Sequence, residues 1–343
     1  MQSIKKRRLA WLSIILAFSL TAAACGDDDD DASTSDGGSE GGGDVSGSIN
    51  ISGSSTVEPI TSLAAESFTG ENDGVDIAVD GPGTGDGFEL FCNGETDISD
   101  ASRQIEDEEA AACETNGIEF AELQIGYDGM SVLTSSNNDG APECLSFADL
   151  YALIGPESEG FDNWSDAQAI ATELGSSTQF PDAPLELTGP GTESGTYDSF
   201  IEIALADIAG ERGQADDTTR TDYASSADDN VIIQNVEASD TSLGWVGFAF
   251  AEEAGDQVTE IPVSAEPGGD CVAPAADTIA DNSYPLSRPL FIYVSMSSAE
   301  DNAAVVPFVD FYLQNLNQFV EDGGYVAMPD DQVQSTTSAW EGR

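Results

Sequence analysis

Three short stretches carry residue types that can bind a small anion without any catalytic group. Gly53-Ser54-Ser55-Thr56, Gly83-Thr84-Gly85-Asp86-Gly87 and Thr192-Glu193-Ser194-Gly195-Thr196 each place hydroxyls and small residues just ahead of a predicted helix. The first turn of a helix has backbone N–H groups without intrahelical partners and a partial positive charge. Such a loop can hold an oxyanion with no lysine. Singly, each loop also reads as a plain helix cap, because Ser and Thr cap helices routinely. Three of them, each following a strand-like segment, point to a shared site. No G-x-x-x-x-G-K-[ST] or G-x-G-x-x-G is present, so a nucleotide site is not indicated. The chain has no His, which excludes Ser-His-Asp and Cys-His chemistry and removes the commonest metal ligand.

The elements that must position these loops follow a repeated order. Ile49 to Ser52 alternates like a strand, and Pro59 to Phe68 has helical spacing; Val75 to Val79 alternates again, with Phe88 to Phe91 after the Gly-rich loop. Strand, loop, helix is the unit of an open α/β sheet, in which ligands bind at the carboxyl ends of strands. Further strands are expected at Met130–Thr134, Leu185–Thr188, Leu243–Phe250 and Leu290–Val294, and helices at Ser146–Ile154, Gly195–Ala209, Asp228–Ala238 and Ala303–Val320. No repeat of solenoid length occurs. Trp164, Trp245 and Trp340 are assigned to core packing.

The first 24 residues read as an export signal. Lys5, Lys6, Arg7 and Arg8 precede an apolar run, Leu9 to Leu20, that closes on Ala22-Ala23-Ala24-Cys25. The run is shorter than the roughly 20 apolar residues of a membrane span. Cleavage before Cys25 would leave an N-terminal cysteine for acylation, with plain secretion as the alternative. Residues 25–47 are Gly, Ser and acids and cannot bury enough surface to fold. As a flexible tether they would reach roughly 25 Å.

The chain has 65 acidic and nine basic residues and a formal net charge of −56. Beyond the signal the only cations are Arg103, Arg212, Arg220, Arg288 and Arg343. That balance opposes nucleic-acid binding. It also makes the body repel itself unless salt screens it, as 1 M salt does with a Debye length of about 3 Å; a salty habitat is expected. With Cys25 set aside, Cys92, Cys113, Cys144 and Cys271 allow three disulfide pairings. Zinc held by four thiolates is the rival, without C-x-x-C spacing to support it.

The wording and order of the loops resemble the PstS family of phosphate-binding proteins, particularly its SphX-like branch. The matching stretches are Ile51 to Val57, Gly83 to Phe88, Phe91 to Arg103, Gly189 to Thr196 and Ser287-Arg288-Pro289-Leu290, which span nearly the whole mature body in order. The resemblance implies a type II periplasmic-binding-protein fold, with two α/β lobes joined by a two-segment hinge and closing on phosphate for an ABC importer. Lobe one would take residues 48–130 and 288–343, and lobe two residues 131–287. The chain would leave the first lobe near Asp128 and return near Arg288. Disulfides Cys92–Cys113 and Cys144–Cys271 are then favoured, because each lies within one lobe.

Carried across by motif, the ligand donors would be Ser54, Ser55, Thr56, Thr84, Ser102, Arg103, Ser194, Gly195 and Thr196. Asp86 stands where the family usually has Gly, and Pro190 where many relatives carry an Arg. Arg103, next to Ser102, is therefore the expected guanidinium, since its rigid fork suits bidentate contact with an oxyanion. Arg220 comes second, with a loop ion pair to Asp222 or Asp217 as the plain alternative. Arg212 and Arg288 read as surface or structural. Asp97 and Glu193 are the nearest carboxylates able to accept a proton from HPO4²⁻, which would separate phosphate from sulfate.

The expected function is a lipid-anchored extracytoplasmic receptor, with no cofactor and no enzymatic activity. Its partners would be inorganic phosphate, a membrane permease and the membrane through the lipid; a monomer is expected. A receptor for another tetrahedral oxyanion, an exported phosphohydrolase and a salt-adapted surface protein are the alternatives.

Overall fold

The computed structural model describes residues 45–192 and 194–343; the export signal, Cys25, the tether up to residue 44 and Glu193 lie outside the described residues. The chain opens with β1 (Gly47–Gly53), α1 (Glu58–Glu71), β2 (Val75–Asp80), α2 (Thr84–Cys92), β3 (Ile98–Ala101) and α3 (Asp107–Asn116). β1 pairs in parallel with both β2 and β3. Parallel neighbours need a crossover, and α1 and α2 provide it. α1 buries Ile60, Ala64, Ala65 and Phe68 on one face. Phe88, Phe91 and Cys92 of α2 join Ala101, Phe291 and Tyr293 in a second core.

β4 (Phe120–Ser135) is 16 residues long and takes part in both halves of the sheet. Through Gly129 it pairs antiparallel with β11 (Ser287–Ser295), which lies between β3 and β4. From Met130 it pairs with β8 (Ser242–Gly247), and its last residues pair with β9 (Val258–Glu260). β6 (Glu186–Gly189) runs parallel to β8, with β7 (Ala224–Ser225) beyond it. The order is β2-β1-β3-β11-β4-β8-β6-β7, with β9 on β4, and β5 (Leu145–Ser146) and β10 (Val263–Ser264) form a separate pair. Trp164, Trp245 and Trp340 are buried. Trp245 stacks on Phe200 with ring centroids 4.9 Å apart. A Cβ on Gly189 would come within 2.4 Å of the Trp245 ring, so glycine lets the end of β6 lie against the indole.

Disulfides link Cys92 to Cys113, fastening α2 to α3, and Cys144 to Cys271. Among the described residues no helix is long and apolar enough to cross a membrane.

Three elements differ from the expected spans. The strand expected over Leu243–Phe250 stops at Gly247, because Phe248 and Ala251 bury one face of a helix, Phe248–Ala254. The helix expected over Ala303–Val320 divides at Asn315 into Val305–Gln314 and Leu316–Asp322. There the Asn315 amide donates to the Phe311 carbonyl at 2.9 Å, the local competition that makes Asn a poor helix interior. The helix expected over Gly195–Ala209 runs Gly195–Phe200, passes through a π turn at Ile201–Leu205, and resumes as Ala206–Glu211.

Candidate functional site

The Ser/Thr loops gather at the carboxyl ends of parallel strands. β1 runs into Ser54-Ser55-Thr56, β2 leads to Gly83 and α2, β3 leads to Ser102 and Arg103, and β6 leads to Ser194. Close approach depends on glycine. A Cβ on Gly53 would sit 2.0 Å from the Asp100 carbonyl oxygen, and one on Gly87 would sit 2.4 Å from the Gly53 Cα. These two positions bring the first turn of α2 against the ends of β1 and β3. The helix begins at Thr84, so Gly85, Asp86 and Gly87 belong to its first turn and not to a loop.

Thr84, Gly85, Asp86, Ser102, Arg103, Glu202 and Arg288 line one cleft of about 580 Å³. Thr84 Oγ1 lies 3.0 Å from Ser102 Oγ and accepts the Ser102 N–H at 3.2 Å. Beside this cleft the remaining loops touch each other. A Cβ on Gly195 would be 3.3 Å from the Ser55 carbonyl oxygen and from the Thr56 Cα. Ser54 Oγ accepts from the Thr56 and Val57 N–H groups, and Ser194 Oγ accepts from the Thr196 N–H. Ser55 Oγ donates to Asp198 Oδ2 at 2.9 Å, and Thr56 Oγ1 lies 3.0 Å from Ser199 Oγ.

Arg288 joins the two groups, so of its two readings, surface or structural, the surface one is corrected. Its side chain is only 12% exposed. Nη2 donates to Thr56 Oγ1 at 2.9 Å and to Ser199 Oγ at 2.6 Å, while Nη1 pairs with Glu202. Arg288 stands directly opposite Asp128 in the pairing of β11 with β4, with Nε 3.4 Å from Asp128 Oδ2. Burial raises Asp128 above the ordinary carboxylate value, against the pull of the Arg288 charge. Asp198 is also raised by burial, and the Ser55 hydroxyl pulls it back.

Arg103 does line the cleft, but its fork is engaged: Nη1 and Nη2 each donate to a Glu109 carboxylate oxygen at 2.8 Å, and the side chain is 37% exposed. Arg220 is buried away from the cleft lining, with Asp222 on Nε at 2.6 Å and the Phe161 carbonyl on Nη2 at 2.7 Å. Arg212 pairs with Glu157 and Glu173. Asp97 is corrected as a reader of the ligand proton. It precedes β3, at the end opposite the cleft, and accepts the Asn50 N–H at 2.8 Å. Among the described residues no group of His, Cys, Asp and Glu could hold a metal ion.

Sequence reasoning missed Arg288, Asp128, Asp198, Ser199 and Glu202. A signal for the first two was present: the residues expected at the two crossings between lobes carry opposite charges, and Arg288 is one of only five arginines beyond the signal.

Comparison with known proteins agrees with this architecture. Residues 38–315 match the PBP superfamily domain. Protein SphX of Synechocystis sp. is 39% identical over 288 residues, covering 83% of this chain and 80% of its own. The phosphate-binding protein PstS of Staphylococcus haemolyticus is 34% identical over 318 residues, covering 92% and 91%. The crystal structure of "a possible phosphate binding protein" from Planctomyces limnophilus is 33% identical and superimposes with a TM-score of 0.78 over 87% of this chain and 99% of that one. The fold is the mixed α/β, type II periplasmic-binding-protein fold.

Proposed function

This chain belongs to the PBP superfamily, with SphX and PstS proteins among its relatives, and we propose from that premise that it is an extracytoplasmic receptor that captures inorganic phosphate for an ABC importer and performs no chemistry on it. The observation that carries this reading is the Arg288 guanidinium, which lines the cleft and is held by hydroxyls of the loop after β1 and of the helix after β6, Thr56 and Ser199. A buried cation among helix N-termini and hydroxyls suits a compact oxyanion.

In this reading Ser54, Ser55, Thr56, Thr84, Ser102, Ser194, Gly195 and Thr196 supply hydroxyl and amide donors, Arg288 the central charge, and Arg103 a charge at the rim. The lobes divide at residues 130/131 and 287/288, which the change of β4 from β11 to β8 after Gly129 supports. Acylated Cys25 anchors a monomeric receptor to the outer face of the cell membrane, within reach of the permease, and salt screens its acidic body.

Titration calorimetry in 1 M salt, on protein freed of bound anion, tests the function with phosphate, sulfate and molybdate. Phosphate should bind tightly and without turnover. Preference for sulfate or molybdate would reassign the ligand, and phosphate release from an ester would move the protein to the hydrolases.

A further inference from the structure

The Arg288 fork has two carboxylates on it, and they are not equivalent. Asp128 faces it from the neighbouring strand with a side chain only 4% exposed. Glu202 reaches it from the opposite wall with a side chain 54% exposed, and with Arg288, Thr84 and Ser102 it lines the cleft. Asp128 is fixed by strand pairing. Glu202 sits on a π turn, Ile201–Leu205, a helical irregularity that recurs at functional sites. Thr56 and Ser199 already take Nη2, so Nη1 is where an anion in the cleft would meet Arg288, and Glu202 holds it.

We propose that Glu202 is a built-in competitor for the anion, a carboxylate that contends with an oxyanion for Arg288 Nη1 and thereby sets the affinity and release rate of the receptor. The proposal rests on the reading of Arg288 as an anion ligand. Its chemistry is a plain exchange of one oxygen acceptor for another, with no covalent step. The exchange is eased because the departing Glu202 carboxylate, 54% exposed, can return to water and salt, while Arg288 itself is 12% exposed. The neighbouring Asp198 holds Ser55 by a parallel bond, so one helical face presents acceptors to the donors of the opposite wall.

The test is phosphate titration of wild type, Glu202→Gln, Arg288→Lys and Asp207→Asn in dilute buffer and in 1 M salt. Asp207 is exposed just beyond the same π turn, so its variant reports the general effect of removing one negative charge. Competition predicts that Glu202→Gln binds phosphate about two- to fivefold more tightly in dilute buffer, with a slower off-rate. The gain should exceed that of Asp207→Asn and narrow in salt. Weaker phosphate binding by Glu202→Gln would overturn the proposal and make Glu202 an acceptor of the ligand's proton. A gain no larger than that of Asp207→Asn would also overturn it; in that case weakened binding by Arg288→Lys would leave the ligand role of Arg288 standing. If Arg288→Lys binds as wild type does, the Arg288 reading fails and the competitor with it.

Discussion

Arg220 and Arg288 are both withdrawn from solvent and both paired with an aspartate, yet their surroundings are built differently. Arg220 is 3% exposed, and its acid partner Asp222 is two residues away. Arg288 draws on Thr56, Ser199 and Glu202, separated from it by 232, 89 and 86 residues. Burial therefore does not separate the cation proposed to meet the ligand from one that is not. A cation whose partners come from three distant segments feels any change in how those segments meet, whereas Arg220, tied to Asp222 beside it and to the Phe161 carbonyl, holds its loop in place.

Replacing the two residues should separate these roles. Arg288→Ala should weaken phosphate binding by roughly ten- to a hundredfold, as expected for a lost charged hydrogen bond of about 1.5 to 3 kcal/mol. Arg288→Lys, which keeps a charge beside Asp128, should lose affinity while remaining folded. Arg220→Ala should cost about 1.5 to 3 kcal/mol in urea unfolding, in the range for lost charged hydrogen bonds, and leave phosphate affinity within about twofold. Equal affinity losses in the two variants would erase the contrast.

A smaller effect is expected at Asp100, whose carbonyl accepts the Ser54 N–H at 2.9 Å. Burial pushes its carboxyl up to about 7, the Thr61 hydroxyl pulls it back, and the Glu58 charge raises it further. A carboxyl with a higher pKa folded than unfolded binds its proton more tightly in the folded state. Stability from this group therefore falls as pH rises from about 4 to about 7 and is level above that. Asp100→Asn, which retains an acceptor for Thr61, should gain melting temperature over wild type across that window and match it near pH 4. The smallest effect should come from Arg103→Ala, with phosphate affinity falling less than about fivefold, because its fork is already taken by Glu109. A loss matching that of Arg288→Ala would return the central role to Arg103.

What the sequence discloses follows the same division between local and distant partners. The Ser54 and Ser194 loops are legible because a hydroxyl ahead of a helix acts on amides two or three residues away, whereas Thr84 accepts the Ser102 N–H, 18 residues on. The pairing of Arg220 with Asp222 is legible for the same reason. For Arg288 only the charge opposite Asp128 at the expected crossings is legible, since an Arg before Pro289 in an apolar strand shows nothing of Thr56 or Ser199 until the sheet is assembled. The π turn is not legible, because Ile201 to Leu205 has ordinary helical composition. Phe248-Ala249-Phe250 extends the apolar run of β8 and reads as strand; only packing of Phe248 and Ala251 on one side turns it into a helix.

The placement of β11 also governs the order in which the molecule can be made. β3 and β4 are joined only through β11, which leaves the ribosome more than 150 residues after β4 begins. Until then the emerging chain has two unsatisfied strand edges and cannot finish its first hydrophobic layer. Closing so long a loop is slow. A chain obliged to wait for its own C-terminal portion cannot complete this sheet before its synthesis is nearly over.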